Sequence, residues 1–307
     1  MANVLVTGGA GFIGSHLVDV LLQQGHKVVV VDNLSAGKID NLNRAALFYQ
    51  QSIQDSEMME RVFQLHKFDY VFHLAAQASV SVSVKEPSTD AQTNILGTIV
   101  LLEKSAKYGV KKFIFSSTGG AIYGEDVPIP TPETVEPRPI SPYGIAKRSA
   151  EMYLEFFKRE YNLDYVSLRY GNVYGPRQDP NGEAGVVAIF TARMLKNEDV
   201  IIFGDGEYVR DYVYVKDVVQ ANLLAMKDGV SGVYNIGTGI GTTVNQLFKM
   251  LARLTGYQKQ PVYAPPRKGD LRKSILDPTK AKNELGWSPQ TNLEEGLALT
   301  IEYFKSL

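Results

Sequence analysis

Three hydroxyls end a run of β-branched and aromatic residues at 112–117: Ser116, Ser117 and Thr118 follow Phe113, Ile114 and Phe115. Gly119 and Gly120 come next, where side chains would be expected on the floor of a site. Further along, "SPYGIAK" sets Tyr143 and Lys147 four residues apart at the start of a helical pattern, so both project from one face. A free tyrosine titrates near pH ~10 and is a poor base at neutrality. A neighbouring ammonium favours the phenolate and so lowers that value. A hydroxyl-ended strand beside a tyrosine–lysine pair therefore suits proton transfer at an alcohol that is being oxidised to a ketone.

Such chemistry requires a hydride acceptor, and the N-terminus supplies a place for one. "NVLVTGGAGFIGSHL" reads as strand, tight glycine turn and helix. Gly8, Gly11 and Gly14 are evenly spaced, and Gly9, Gly11 and Gly14 also satisfy G-x-G-x-x-G. In that pattern the backbone approaches a pyrophosphate, which meets the N–H groups at the helix start. A second strand, 27–32, ends in Asp32. A carboxylate there accepts from a ribose 2′-OH and repels a 2′-phosphate, which points to NAD and not NADP.

The elements that must position these groups alternate through the first half. Strand-like runs at 4–6, 27–32, 70–75, 112–117 and 165–170 are separated by helical patterns at 12–24, 56–66, 90–108 and 142–161. That order predicts an α/β fold, a doubly wound parallel (Rossmann) sheet, with a smaller mixed α/β domain beyond it. The expected division is 1–175 for the cofactor, with 212–238 returning to it, and 176–307 for the substrate.

Bulk properties narrow the function classes. The 307 residues carry 32 basic and 33 acidic side chains, a balance that offers no nucleic-acid or membrane surface. There is no cysteine, so disulfides, thiolate metal sites and cysteine nucleophiles are excluded, and no metal site is expected. No apolar run nears the length of a membrane span, and no signal segment is evident, so a cytoplasmic protein is expected.

Taken together, T-G-G-A-G-F-I-G, D-N-L, H-L-A-A, S-S-T and Y-G-I-A-K, in this order, resemble the extended short-chain dehydrogenase/reductases, and within them the UDP-glucose 4-epimerase family. "LRYGNVYGPRQDP", "FGDGEYVRDYVYVKDV", "YNIGTG" and "PRKGDLRKS" extend the resemblance through the second half. The resemblance implies a UDP-sugar substrate, bound NAD and a homodimer built on the helical patterns 90–108 and 142–161. It implies Thr118, Tyr143 and Lys147 as catalytic. Gly8, Gly11, Phe12 and Ile13 would line the pyrophosphate, with Asp32, Asn33 and Ser35 at the adenosine ribose. Ser52, Ile53, Leu74, Ala75, Ala76, Gln77, Ser116 and Tyr170 would complete the cofactor site. Asn172, Arg210 and Arg267 would grip the diphosphate; Val187, Phe203 and Asp270 would meet the rest of the nucleotide; and Ser274 would lie beside the C2 substituent of the sugar. His73 reads as a buried, hydrogen-bonded residue. Two positions depart from the family pattern: Gln51-Ser52 replaces the usual Gly-Asp at the adenine, and Gly171 replaces a bulkier residue, which would widen the sugar pocket.

Related dehydratases carry an acid and a base directly after the threonine, where this chain has Gly119 and Gly120. The reading is therefore a UDP-hexose 4-epimerase that works through a 4-keto intermediate, with N-acetylated sugars as candidate substrates. A dehydratase or oxidoreductase is the alternative on the same fold. A non-catalytic NAD-binding relative is the alternative from another class, and the intact Thr118, Tyr143 and Lys147 count against it.

Overall fold

The structure is a computed structural model and describes residues 1–181, 185–266 and 271–307. Its strands are β1 (Asn3–Thr7), β2 (Lys27–Asp32), β3 (Leu47–Gln50), β4 (Tyr70–His73), β5 (Lys112–Thr118), β6 (Asp164–Tyr170), β7 (Asn172–Tyr174), β8 (Ile201–Phe203), β9 (Val209–Tyr214), β10 (Gly232–Ile236), β11 (Gly241–Thr243), β12 (Val262–Ala264) and β13 (Lys273–Ser274). Seven of them form one sheet in the order β10-β6-β5-β4-β1-β2-β3, every neighbouring pair parallel. This is the doubly wound α/β sheet expected from the alternation of strand and helix patterns.

Parallel strands covered on both faces read as unbroken apolar runs, and alternate residues serve opposite cores. Val4, Val6, Val28 and Val30 pack on one side with Leu17, Val18, Leu21 and Trp287. Leu5, Val29, Val31, Phe113 and Phe115 pack on the other with Met59, Phe63, Leu101 and Leu154. Trp287 fixes the C-terminal segment to the sheet: its Nε1 donates to the Asp217 carbonyl at 2.8 Å.

The strand order reverses between β1 and β4, which opens a crevice at their C-terminal ends. The glycine turn after β1 and Leu74–Gln77 after β4 meet there. Two local differences from the sequence patterns have simple causes. β3 is only four residues long and lies at the sheet edge, too short for a clear alternation. The helix expected from residue 90 starts at Pro87 and widens into a π-turn at Gln92–Leu96 before Gly97–Lys107. Single-turn π segments of this kind are frequent at functional sites.

The remaining strands form a small platform. β9 is flanked by β11 and β13 and also pairs with β7, while β8 pairs with β12. Tyr174, Phe190, Tyr212, Leu247 and Leu251 supply its core. No helix among the described residues is long and apolar enough to cross a membrane.

Candidate active site

The glycine turn leaves no room for side chains. Gly8 has φ +70°, in the left-handed region, and a Cβ on it would lie 2.6 Å from the Ala75 nitrogen. A Cβ on Gly14 would lie 2.2 Å from the Gly8 carbonyl oxygen. The turn therefore holds its helix start against Leu74 and Ala75, and its bare backbone is a cradle that fits a pyrophosphate. Asp32 sits beside the cradle, buried, with Oδ2 accepting from Ala10 N at 3.0 Å and Oδ1 from Leu34 N at 2.8 Å. The carboxylate thus shapes the turn, and each oxygen keeps a second lone pair for a further donor. Asn33 and Ser35 are exposed next to it.

On the catalytic side, Ser141 caps the helix Pro142–Tyr161 by accepting from Gly144 N at 3.2 Å, with Pro142 in its first turn. This start places Tyr143 against Thr118, and the two side chains hydrogen-bond. One turn on, Lys147 is buried; its Nζ donates to the Ser116 carbonyl at 2.8 Å and lies 4.7 Å from the centre of the Phe115 ring. Burial lowers the Lys147 ammonium to about 8, while Asp90 and Glu151 pull it upward. Tyr143 differs from the sequence expectation: burial pushes its phenol well up, Asp90 pushes it further, and only the bond with Thr118 pulls it down. Desolvation is the largest influence on the phenol, ahead of the charge of Asp90.

These groups open into a cavity of about 510 Å³ between the large sheet and the platform. Phe12, Ile13, Thr118, Gly120, Tyr143, Asn172, Phe203 and Arg210 line it, so residues expected at cofactor, sugar and nucleotide share one space. The described lining holds no aspartate, glutamate or histidine; Arg210 is the charged side chain on it. Among the described residues no group of acids and histidines could hold a metal ion.

The two bare positions differ. A Cβ on Gly119 would meet the buried Leu276 side chain at 2.4 Å, so packing requires that glycine. A Cβ on Gly120 would stand 3.7 Å from Asn172 Oδ1 and 3.9 Å from Thr118 Oγ1, ordinary contacts. Gly120 is the one left open with space around it, between two polar groups of the site.

Other positions fall as follows. Ser116 Oγ on β5 is 3.1 Å from Tyr170 OH on β6, which also reaches Asn222, so both belong to one hydrogen-bonded set. His73 is buried between Thr7 and Thr98 hydroxyls at 2.8 and 2.9 Å, a structural role. Ser52 Oγ accepts from Gln54 N at 3.2 Å, and Ile53 is turned into the core. Ala76 and Gln77 continue the segment after β4, half-buried. The Val187 side chain also points into the core, not the cavity, because its helix offers Val186, Ile189 and Phe190 to that wall. Ser274 is half-buried and pairs in register with Arg210, one strand from the cavity. Gly171 does line the cavity, but a Cβ there would lie 2.9 Å from the Asp211 carbonyl oxygen, so the approach of β9 also demands a glycine. Arg267 and Asp270 lie outside the described residues. Sequence reasoning missed Gln178 and Tyr212: both line the cavity with buried oxygens that have no hydrogen-bond partner in the described structure. Tyr212 lies two residues after Arg210 in "VRDYVY" and Gln178 falls in "LRYGNVYGPRQDP", so both stand in stretches that carry the resemblance.

A family model for the NAD-dependent epimerase/dehydratase family matches residues 4–237. The chain belongs to that family. Solved members align along the whole of it. UDP-glucose 4-epimerase of Thermotoga maritima, in complex with UDP-glucose, is 74% identical with a TM-score of 0.98, covering 99% of each chain. UDP-glucose 4-epimerase of Thermus thermophilus, in complex with NAD, is 49% identical with a TM-score of 0.93, again over 99% of each chain. UDP-N-acetylglucosamine 4-epimerase of Methanobrevibacter ruminantium, in complex with UDP-N-acetylmuramic acid, is 40% identical with a TM-score of 0.94, covering 99% of this chain and 98% of that one.

The two glycines of this epimerase/dehydratase should respond differently to a single methyl group. Gly119→Ala must displace Leu276 and is expected to cost roughly 1–3 kcal/mol of stability, while Gly120→Ala stays within ~0.5 kcal/mol of the parent. Urea unfolding of both variants measures the difference; equal losses would show that Leu276 moves freely.

Proposed function

We propose that the chain is a UDP-glucose 4-epimerase that interconverts UDP-glucose and UDP-galactose. The observation that carries this reading is the cavity itself: a threonine–tyrosine pair over an open Gly120, with no carboxylate in the described lining. Eliminating water from a 4-keto sugar requires a second acid and base next to the reacting carbons, which this lining does not provide. Inverting C4 requires one proton acceptor and donor, and room for the ketone to turn. The cofactor cradle and Asp32 fit NAD, which when bound accepts the C4 hydride and returns it.

In this scheme Thr118 orients the O4 hydroxyl toward Tyr143. Tyr143 takes the O4 proton as C4 is oxidised and returns it to O4 when the turned ketone is reduced on its other face. Lys147, anchored on the Ser116 carbonyl, holds the nicotinamide ribose and stabilises the phenolate. Burial raises the Tyr143 phenol, so forming the phenolate relies on positive charge beside it. Asn172, Arg210 and Arg267 hold the diphosphate, with Phe203 and Asp270 at the uracil. Gly8, Gly11, Phe12, Ile13, Asp32, Asn33 and Ser35 hold the adenosine diphosphate, and Leu74, Ala75, Ala76, Gln77 and Tyr170 wall the cofactor. We take 1–175 with 212–238 as the cofactor-binding part, which the place of β10 in the large sheet supports, and 176–307 as the nucleotide-sugar part. Both ligands are highly charged and cross membranes poorly, which supports a cytoplasmic location.

Incubation with UDP-galactose should yield UDP-glucose. Tyr143→Phe removes one hydroxyl, so it should retain UDP-sugar binding and lose about 10²–10⁴-fold in turnover. A phenylalanine variant with near-parental kcat would remove Tyr143 from this role.

The exposed face of the helix Pro142–Tyr161 carries Ile145, Met152 and Phe156 in one stripe, and Leu96 is exposed on the neighbouring helix. Such a stripe supports a homodimer with twofold pairing of these helices. Sedimentation at micromolar concentration should give the dimer mass; a monomer there rejects it.

Substrate breadth rests on Ser274, a small residue one strand from the cavity beside Arg210. The reading that UDP-N-acetylglucosamine is also accepted predicts measurable kcat/KM for it in the parent, alongside the plain sugars. Ser274→Tyr should depress the N-acetyl reaction selectively. Equal activity of the tyrosine variant on both sugars would show that Ser274 does not set the limit.

A further inference from the structure

Asp90 is a buried carboxylate to which the scheme above gives no part. Its exposure is 1%, and it sits on the short helix Pro87–Ala91, packed against the helix that carries Tyr143 and Lys147. Oδ1 accepts from Gln77 Nε2 at 2.8 Å and from Asn94 Nδ2 at 3.0 Å. Oδ2 is buried and has no hydrogen-bond partner in the described structure. A carboxylate oxygen withdrawn from water and left unpaired is costly, and charge of opposite sign nearby is the usual compensation.

The surroundings give Asp90 two tasks. Asn94 also accepts from Gln77 N at 3.0 Å and donates to its carbonyl at 2.8 Å, while Gln77 Oε1 accepts from Ser79 N at 2.6 Å. The pair Asp90 and Asn94 thus clamps Gln77, and through it the segment from Ala78 to Ser81 that walls the cavity. The π-turn that follows Ala91 contains Asn94. Asp90 is also near enough for its charge to favour the Lys147 ammonium and to disfavour the Tyr143 phenolate.

We propose that Asp90 is a positioning residue of the catalytic pair, the buried counter-charge to Lys147 and the anchor of the cavity wall at Gln77. This rests on the roles of Tyr143 and Lys147 given above. Other charges facing the pair leave that task to Asp90. Glu151, one turn beyond Lys147, is committed to Arg169 at 2.6 Å and approached by Arg148 at 3.5 Å. His73, on β4, is held neutral by burial and by the charge of Lys147. The end of β5 brings only the hydroxyls of Ser116, Ser117 and Thr118. Asp90 thus supports the charged form of Lys147 and opposes the Tyr143 phenolate.

Removing one negative charge favours the phenolate and disfavours the ammonium, so both should lose protons more readily. The experiment measures kcat for UDP-galactose against pH, together with the titration of Lys147 by NMR of lysine labelled at Cε. The holoenzyme is compared with its Asp90→Asn and Asp90→Glu variants, and Asp90→Ser is a second neutral variant if the asparagine protein does not fold. Both limbs of the rate profile and the Lys147 titration should move to lower pH in the neutral variant and stay at parental values in Asp90→Glu. Limbs and titration that coincide with the parent while kcat/KM falls would reduce Asp90 to an anchor of Gln77 and overturn the proposal. Equal shifts in the asparagine and glutamate variants would overturn it as well. A parent that does not epimerise UDP-galactose would instead remove the functional reading, and the Lys147 titration would still decide whether Asp90 is its counter-charge.

Discussion

The site hangs on one buried ion pair. Glu151 and Arg169 are 1% and 2% exposed, with Arg169 Nη2 donating to Oε2 at 2.6 Å and Nε to Oε1 at 2.9 Å. The same Oε1 accepts from the hydroxyls of Ser117 on β5 at 2.8 Å and Ser167 on β6 at 3.0 Å. Glu151 follows Tyr143 and Lys147 down one helix face, so this carboxylate fixes the catalytic face against the strand that carries Thr118. Leaving one member of such a pair unpaired costs about 3–5 kcal/mol, whereas the fully bonded set imposes a single geometry. Arg169 continues the chain of contacts: Nη1 donates to Tyr123 OH at 2.8 Å, and Tyr123 donates to Asn235 Oδ1 on β10 at 2.8 Å. Asn235 in turn donates to the Thr131 carbonyl at 2.9 Å, which ties down the long connection between β5 and the catalytic helix.

A rigid back wall matters because the front must be permissive. A 4-keto sugar presents first one face and then the other to the same donor and acceptor, so the floor cannot grip it tightly. Gly120 supplies that clearance, with only Asn172 Oδ1 and Thr118 Oγ1 near the space a side chain would take. Tight packing and open space fall here on adjacent residues: Gly119 is bare because Leu276 fills its space, and Gly120 is bare with room to spare.

The electrostatics follow the same division. Asp211, buried on β9, accepts from the backbone nitrogens of Thr238, Gly239 and Leu276, so it organises loops and not substrate. Asp32 shapes the cofactor turn as well as facing it. The described cavity wall itself is left almost uncharged, which lets a phenol respond to the charge of a bound ligand more strongly than it would in water.

Much of this was legible in the sequence. The parallel sheet follows from strands that are apolar on both faces, since Val28–Val31 can be buried only between two layers. The glycine spacing, Asp32, and the pair Tyr143 and Lys147 on one helical face are local patterns, and local geometry alone brings each set together. Thr118 beside Tyr143, and the long resemblance through the second half, gave the chemistry. The rest depends on approaches between segments distant in the chain. No pattern shows that Gly119 faces Leu276, that Gly171 must pass Asp211, or that Val187 turns inward while Val186 faces the cavity. Nor does any pattern place Asp90 near Lys147, because its helix is short and its partners lie on three separate segments. The sequence by itself determined the fold class and the candidate reacting groups, whose periodicity and spacing are properties of single elements. The tertiary structure alone decided which bare and buried positions are packing and which are site, because exclusion and desolvation exist only once the segments meet.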